Sequence, residues 1–214
     1  RGSVFSCRLG VSFHVPSTSA SRVWTAEEAA TFLRAVGREE LYVLWRLALL
    51  TGLRRGELLG LRIRDFDVTS RCLTVRRNRV LVAGRVVTKT PKSKRSVRSV
   101  AVDVITADLL KAMIADRSDS DGLLFADKQG AGLNPGWVSR RFQGLVREAG
   151  LPVIRFHDLR HTSATLGLAQ GESVKEVSAR LGHSSVAITG DLYLQVPGSL
   201  ARKSADGLAR LLDG

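Results

Sequence analysis

The chain has 214 residues, of which 44% are hydrophobic, and its 33 Lys and Arg against 20 Asp and Glu give a formal net charge of +13. This composition excludes a disordered polybasic tail, and the sequence has neither a run of about 18 apolar residues nor the apolar segment of a signal peptide. A pI near 10.9 points to a polyanionic partner, either nucleic acid or an anionic membrane. Two cysteines without a C-x-x-C spacing, Cys7 and Cys72, favour a reducing compartment over a disulfide or zinc scaffold.

Residues 1–22 are rich in Ser and small residues and show no clean periodicity. We interpret them as a linker from a preceding domain, and residues 23–214 as one domain. A helix is predicted after Thr25, which with Glu28 makes a capping box. A second, very apolar helix is predicted over 39–51, with Gly52 as its stop, and a short one over 55–61.

The next region is strongly basic. Between Arg54 and Arg98 the sequence has 14 Lys and Arg against three acidic residues, a net charge of +11. Strand-like segments occur at 72–75, at 80–87 with a turn at 83–84, and at 97–102. Because they are close in sequence, we expect them to pair as a small antiparallel sheet, with the basic segment 88–98 as the tip of a hairpin.

The rest of the chain is predicted to be helical. Asn134 is a suitable N-cap for a helix with Pro135 in its first turn. The predicted helices are 104–117, 135–148, 157–169, 174–181, 184–194 and 200–212. The expected fold class is therefore α+β, a mostly helical domain with a small antiparallel three-stranded sheet.

Three of the four histidines, His157, His161 and His183, lie within 27 residues of one another. On a helix, His157 and Arg160 point the same way because they are three residues apart. His157, Asp158 and His161 also imitate the H-E-x-x-H zinc spacing, but Asp stands where Glu is expected, and the guanidinium within the motif would repel a dication. We therefore expect neither a metal nor another cofactor.

Tyr193 is one of only two tyrosines and follows a Gly-His-Ser-Ser turn. Alone it is typical of an amphipathic surface residue, but its hydroxyl can act as a nucleophile if a phosphate is held beside it. Metal-free attack on a phosphodiester needs two fixed cations, a proton donor for the leaving alkoxide, and a nucleophile. The sequence offers Arg54, Arg160, a basic hairpin and Tyr193.

Four motifs in order resemble those of the tyrosine recombinases, or phage integrases. T-G-L-R-R-G-E-L at 51–58 resembles their first arginine box, and H-D-L-R-H-T at 157–162 resembles their second. L-G-H-S-S at 181–185, with Tyr193 ten residues after its histidine, is similar to their L-G-H…Y ending. T-K-T at 88–90, with Ser93 and Arg95, resembles the hairpin that carries their catalytic lysine. The resemblance covers about residues 23–212 and implies the catalytic domain of that family.

The resemblance implies a role for each residue that matches. Arg54 and Arg160 would clamp the scissile phosphate and stabilise the phosphorane. Tyr193 would attack the phosphorus and leave a 3′-phosphotyrosine bond, so that no energy source is needed. Glu57 would support Arg54 through a buried ion pair.

Proton transfer is assigned in the same way. His157 would assist removal of the proton from the tyrosine, and His183 would hydrogen-bond a non-bridging oxygen. Lys89 would protonate the departing 5′ oxygen. Lys92 is the rival for that role because the register of the hairpin is not fixed by the sequence, and the Thr-Lys-Thr setting favours Lys89.

The implied function is site-specific DNA recombination, the integration or excision of a mobile element. The expected partner is double-stranded DNA, bound as a homotetramer by a protein that is a monomer in free solution, in the cytoplasm at the bacterial nucleoid and without a membrane. Without the preceding DNA-clamping domain, we expect weak binding to target DNA. The residues predicted to contact DNA are Arg55, Lys92, Lys94, Arg95, Arg98, Arg140 and Arg141.

Two alternatives stay open. Residues 171–186 are compatible with a helix-turn-helix, which would make the protein a DNA-binding regulator without catalysis. That interpretation leaves Arg54, Lys89 and Tyr193 without a role. The other alternative keeps the chemistry but relaxes supercoiled DNA without a defined site, as a type IB topoisomerase does.

Overall fold

The computed structural model describes residues 22–90, 97–117 and 119–182. Residues 1–21 of the linker predicted over 1–22, and the predicted helices over 184–194 and 200–212, lie outside the described residues. Its helices are α1 (Ala26–Ala35), α2 (Tyr42–Thr51), α3 (Arg55–Leu59), a 3-10 turn (Ile63–Asp65), α4 (Val104–Ile114), α5 (Pro135–Glu148), α6 (Asp158–Gln170) and α7 (Val174–Leu181). Its strands are β1 (Phe66–Asp67), β2 (Cys72–Val75), β3 (Asn78–Val82), β4 (Arg85–Lys89) and β5 (Arg98–Ala101).

The capping signals at the helix ends are confirmed. The Thr25 hydroxyl accepts from the Glu28 amide at 3.1 Å, and the Glu28 carboxylate accepts from the Thr25 amide at 2.8 Å. Asn134 accepts from the first amides of α5. α2 ends at Gly52 in the left-handed conformation, with φ +64°. It begins at Tyr42, later than predicted, because residues 37–41 form turns instead of helix.

The strands form two sheets. β2 pairs antiparallel with both β1 and β5, in the order β1-β2-β5, while β3 pairs only with β4 as a separate hairpin. The predicted strand over 80–87 is therefore both arms of that hairpin, and the third strand of the main sheet is β1, which was not predicted. Ala83 and Gly84 both have positive φ and make the two-residue turn that folds the segment on itself.

An aromatic cluster occupies the centre of the helical layer. Trp24, Phe32, Trp45, Phe142 and Phe156 are buried, and their ring centroids lie 5.1 to 6.0 Å apart in tilted or edge-to-face pairs. These contacts hold α1, α2 and α5 together, and Phe156 fixes the start of α6 against them.

A smaller apolar cluster joins α6 to α7 through Ala164, Leu168, Val177 and Leu181. Leu181 also lies so close to Gly52 that a Cβ there would stand 2.4 Å from its Cδ2. The ends of α2 and α7 are thereby brought together.

The predicted fold class, mostly helical with small antiparallel sheets, is confirmed. Among the described residues, no helix is long and apolar enough to cross a membrane.

Candidate active site

Arg54 lies between α2 and α3, three residues after Thr51, the last residue of α2. Its amide donates to Glu57 Oε2 at 2.9 Å, and its Nη1 lies 3.0 Å from Glu57 Oε1. Glu57 is one helical turn into α3, so its carboxylate folds back over the residue that precedes the helix. The guanidinium of Arg54 is held by this ion pair and remains 42% exposed, which leaves it accessible to a ligand.

A second guanidinium, that of Arg98, binds the same carboxylate. Its Nη1 and Nη2 lie 3.0 and 2.8 Å from the two oxygens of Glu57, and its Nε donates to the carbonyl of Arg180 at 2.9 Å. Arg98 is 12% exposed and Glu57 8% exposed. Arg98 was predicted to contact DNA; its guanidinium is bound to Glu57 and to the end of α7, and its contact with DNA stays a prediction.

Glu57 is ionised in this setting. Burial alone would raise the pKa of its carboxyl, but the hydrogen bonds and charge of Arg98, followed by those of Arg54, bring the pKa below its usual value. Glu57 thus carries the negative charge that two arginines share.

Arg160 projects from the first turn of α6 to the end of α2. It is 4% exposed, and its Nη1 donates to the carbonyl of Gly52 at 2.8 Å. Its buried Nη2 has no hydrogen-bond partner among the described residues. Burial, followed by the charge of Arg54, lowers the pKa of Arg160 to about 9, so the side chain is still cationic at neutral pH.

Arg54 and Arg160 are therefore brought together although 106 positions separate them in the sequence. Arg180 adds to the same arrangement by donating to the Thr51 carbonyl at 3.2 Å and pairing with Glu172 at 2.7 Å. The carbonyl end of α2, which carries partial negative charge, is thus covered by guanidinium groups.

His157 immediately precedes α6, and its ring lies edge-to-face with that of His161, with centroids 5.3 Å apart. Partial burial lowers the pKa of His157, and the neighbouring His161 and Arg160 lower it further. Burial likewise lowers the pKa of His161. Both rings are consequently neutral at physiological pH, the form in which an imidazole can accept a proton.

The H-D-L-R-H segment does not gather metal ligands. The Asp158 carboxylate accepts from the Arg155 amide at 2.7 Å and pairs with the Arg155 guanidinium at 2.8 Å. Within the described residues, no group of three or more His, Cys, Asp or Glu is placed to hold a metal ion.

A cavity of about 530 Å³ opens beside these residues. Arg54 and His157 line it, together with Arg55 at the start of α3, Arg79 from β3, Arg155, and Ser139 and Gln143 from α5. No carboxylate is among its described lining residues, so it is a strongly cationic site of a size that suits a phosphodiester.

The other predicted residues fall into three groups. Lys89 is the last residue of β4, is exposed, and pairs in register with Asn78 of β3. The Asn78 side chain lies against Gly56, but Lys89 is not among the residues that line the cavity. Arg140 is exposed on α5. Arg141 pairs with Glu39 and Glu148, and its contact with DNA stays a prediction. The candidates that lie outside the described residues are Lys92, Lys94, Arg95, His183 and Tyr193.

Four polar residues of the cavity were not singled out from the sequence: Arg79, Ser139, Gln143 and Arg155. Arg79 belongs to the basic run but carried no motif. Ser139 and Gln143 are four residues apart on α5, a spacing that places them on one face of the helix, and only the fold shows that this face lines a cationic cavity.

The sequence profile of the phage integrase family matches residues 22–198, most of the chain. The chain belongs to the phage integrase family. The match spans both arginine boxes as well as the L-G-H segment and Tyr193.

Individual relatives agree with this assignment. The ICEBs1 integrase of Bacillus subtilis is 30% identical over 203 residues, which cover 89% of this chain and 55% of the relative. A protein named tyrosine recombinase XerC-like, from Caldanaerobacter subterraneus, is 28% identical over 210 residues, or 85% of this chain and 54% of that protein. The chain thus spans about half the length of these relatives.

Solved structures share the fold. The Tn1549 transposon integrase superposes with a TM-score of 0.78 at 23% identity, covering 90% of this chain and 68% of that one. The XerA recombinase superposes with a TM-score of 0.69 at 24% identity, covering 89% and 64%. The helical layer with its small antiparallel sheets is therefore the fold of this group of proteins.

Proposed function

We propose that this integrase-family chain is the catalytic part of a site-specific DNA recombinase, which cleaves and rejoins strands through a 3′-phosphotyrosine intermediate. One observation carries the proposal. Arg54 and Arg160, from two distant motifs, lie close enough at the end of α2 for the charge of Arg54 to lower the pKa of Arg160. Arg54 lines the cationic cavity, and the buried Nη2 of Arg160 has no partner among the described residues. Two such guanidiniums are what a pentacoordinate phosphorane requires.

Relatives by fold support DNA as the substrate. The Tn1549 integrase was solved in complex with transposon right-end DNA, and a lambda integrase dimer was solved bound to a core site. In the reaction that we propose, the Tyr193 oxygen forms a bond to phosphorus while the bond from phosphorus to the 5′ oxygen breaks. A DNA 5′-hydroxyl later reverses the step, so the phosphodiester energy is conserved.

The remaining roles follow from this chemistry. Neutral His157 accepts the proton of Tyr193, and His183 donates a hydrogen bond to a non-bridging oxygen. Glu57 fixes Arg54. We further propose that residues 1–22 connect to another domain, and that a protein monomeric in solution acts on DNA as a homotetramer.

The test is a covalent adduct. A duplex library randomised around a nick is incubated with the full 214-residue chain, since loss of the short strand beyond the nick traps the intermediate. We expect a protein–DNA adduct whose modified peptide contains Tyr193, lost in Tyr193→Phe. Tyr42→Phe, which removes the only other tyrosine, is the matched control and keeps the adduct.

Other outcomes decide among the alternatives. DNA binding without any adduct would favour the non-catalytic regulator. Relaxation of supercoiled plasmid with adducts of no common sequence would favour the topoisomerase. An adduct that persists in Tyr193→Phe would refute the assignment of the nucleophile.

Lys89 and Lys92 are distinguished with a modified leaving group. A thiol has a pKa near 8.5, far below that of an alcohol, so a 5′-bridging sulfur departs without a proton donor. We propose Lys89 as the general acid. Adduct formation by Lys89→Met should then be slow on normal DNA and restored on sulfur-bridged DNA, whereas Lys92→Met should show no such rescue. The reverse result assigns the role to Lys92.

A further inference from the structure

Two arginines of the cavity lack a counter-charge. Arg54 and Arg155 each pair with a carboxylate, but Arg55 and Arg79 have no carboxylate partner among the described residues. The one hydrogen bond of the Arg55 side chain there runs from Nη1 to the Ser139 hydroxyl. Burial lowers the pKa of both arginines, and no anion in the described part of the chain offsets it.

Arg79 lines the cavity from β3, and its guanidinium packs against Gly132. Its guanidinium occupies the space that a side chain at position 132 would fill, since a Cβ on Gly132 would stand 1.2 Å from Arg79 Nη1. Nε and Nη1 are buried without a partner among the described residues, and Nη2 lies 3.5 Å from the Gly132 carbonyl. Arg79 therefore holds a buried positive charge that nothing in the described part of the chain neutralises.

Arg55 is held differently, with its donors accessible. A guanidinium has five N–H donors, and within the described residues one of those of Arg55 is used. The Ser139 hydroxyl accepts that bond and keeps its own proton to donate. Gln143, one turn later on α5, adds an amide to the same wall. Together they make a row of donors with no competing acceptor charge.

A half-buried cation without a counter-ion destabilises a fold, and a bound anion reverses that cost. Since residues 54 and 55 are adjacent, an anion at Arg55 would lie beside the one at Arg54. Neighbouring phosphates on one DNA strand meet that requirement, and a guanidinium fork suits their oxygens.

We propose that Arg55, Ser139 and Gln143 bind a second DNA phosphate, adjacent to the scissile one on the same strand, and that the buried charge of Arg79 stabilises it from behind. The inference rests on the proposed function, because it takes DNA as the occupant of the cavity. The proposal predicts that residues lining the cavity position the DNA strand, in addition to taking part in its cleavage.

The test is the salt dependence of DNA affinity, measured by fluorescence anisotropy with a nicked duplex. Each phosphate neutralised contributes about 0.9 to the slope of log K against log salt. Arg55→Gln should lower that slope by about one unit, while Arg55→Lys should keep the slope and lose affinity because it retains the charge without the fork. Arg79→Gln and Ser139→Ala should each weaken binding several-fold.

The matched control is Arg34→Gln, an exposed arginine on α1, which should change neither affinity nor slope. The urea midpoint of each variant reports whether it is folded. Equal slopes for Arg55→Gln and Arg34→Gln would overturn the proposal, and so would unchanged affinity in Arg79→Gln and Ser139→Ala together.

A further arm locates the phosphate. At the cleavage position given by the trapped adducts, each flanking phosphate is replaced in turn by a neutral methylphosphonate. One replacement should weaken binding by the wild-type chain and have no further effect in Arg55→Gln. Adduct formation by Tyr193 is scored separately. Adducts with no coupled position would refute the second phosphate and leave the proposed function standing, while a change of salt slope in Arg55→Gln without any adduct would support phosphate binding at Arg55 and refute the proposed function.

Discussion

Two regions that meet at the short helix α3 differ in whether their arginines are paired with carboxylates. In the paired cluster, made of Glu57, Arg98, Glu172 and Arg180, each guanidinium is bound to a carboxylate. In the cavity, Arg55 has none among the described residues. Where charge is paired, the side chains join α3, β5 and α7 to one another. Where it is unpaired, the charge is available to a ligand.

Arg54 belongs to both regions, since it shares Glu57 with Arg98 and also lines the cavity. Glu57 has enough contact with two cations to stay ionised, but one carboxylate cannot neutralise both. The net charge beside Arg160 therefore remains positive, and the architecture that fixes Arg54 does not cancel its charge.

The largest effect on stability is expected from Glu57→Ala, which removes the carboxylate that pairs with Arg54 and Arg98. Removing one partner of a buried ion pair costs about 3–5 kcal/mol, so the free energy of unfolding measured in urea should fall by that amount. The control is Glu148→Ala. Its pair with Arg141 is exposed and should be worth about 1 kcal/mol or less.

The pH dependence of stability provides a second test of the Glu57 ion pairs. Because the folded-state pKa of Glu57 is lowered, its contribution is present above the unfolded pKa and is lost as pH falls through the folded value. Glu57→Ala should therefore lose less stability than wild type on acidification. Equal losses, or equal costs for the two alanine variants at neutral pH, would show that the paired cluster does not support the fold.

A smaller effect is expected where α7 meets Arg98. Gly182 has φ +68°, and a Cβ there would stand 2.8 Å from Arg98 Cζ, whereas Gly150 has φ +66° and open space around it. Gly150→Ala should cost about 1–2 kcal/mol for the left-handed backbone alone. Gly182→Ala should lower the free energy of unfolding by more than Gly150→Ala does. It should also slow adduct formation, because residue 182 directly precedes His183 in the chain and the substitution displaces it.

A double-mutant cycle separates strain from contact. The excess cost of Gly182→Ala over Gly150→Ala should shrink when Arg98 is also replaced by Ala. An excess that survives this change would mean that Arg98 does not fix the end of α7.

Most of the fold could be predicted from local signals. Thr25, Gly52 and Asn134 mark helix ends through capping chemistry that depends only on neighbouring residues. The turn at Ala83 and Gly84 was predicted, but the sheet order was not, because β1 has two residues and no alternation and because local signals do not show that β3 and β4 pair only with each other.

The candidate site shows the same difference between contacts that are local in sequence and contacts that only the fold creates. Arg54, Glu57 and Arg160 carry motifs, and the pairing of Arg54 with Glu57 is a contact between neighbours in sequence. The carboxylate partner of Arg98 is 41 residues away, and one of the two partners of Arg141, Glu39 between α1 and α2, is 102 residues away, so charge alone suggested DNA for both. A basic residue in a basic run cannot be assigned to carboxylate or phosphate until the fold places the carboxylates.

The smallest effect is expected on the pKa of His157, a residue that lines the cavity and whose pKa depends on the charges around it. Its pKa is lowered by burial, then by His161 and Arg160, so it loses its base function only as pH falls below its ordinary value of 6.5. His161→Gln keeps the ring covered but removes the neighbouring charge. The pKa of His157 should rise, and the acid limb of adduct formation against pH should move to higher pH. Stability at pH 7 serves as the control and should change little. An acid limb that stays in place would mean that His157 does not accept the proton of Tyr193, or that the two rings are not coupled; loss of the limb in His157→Gln distinguishes the second case from the first.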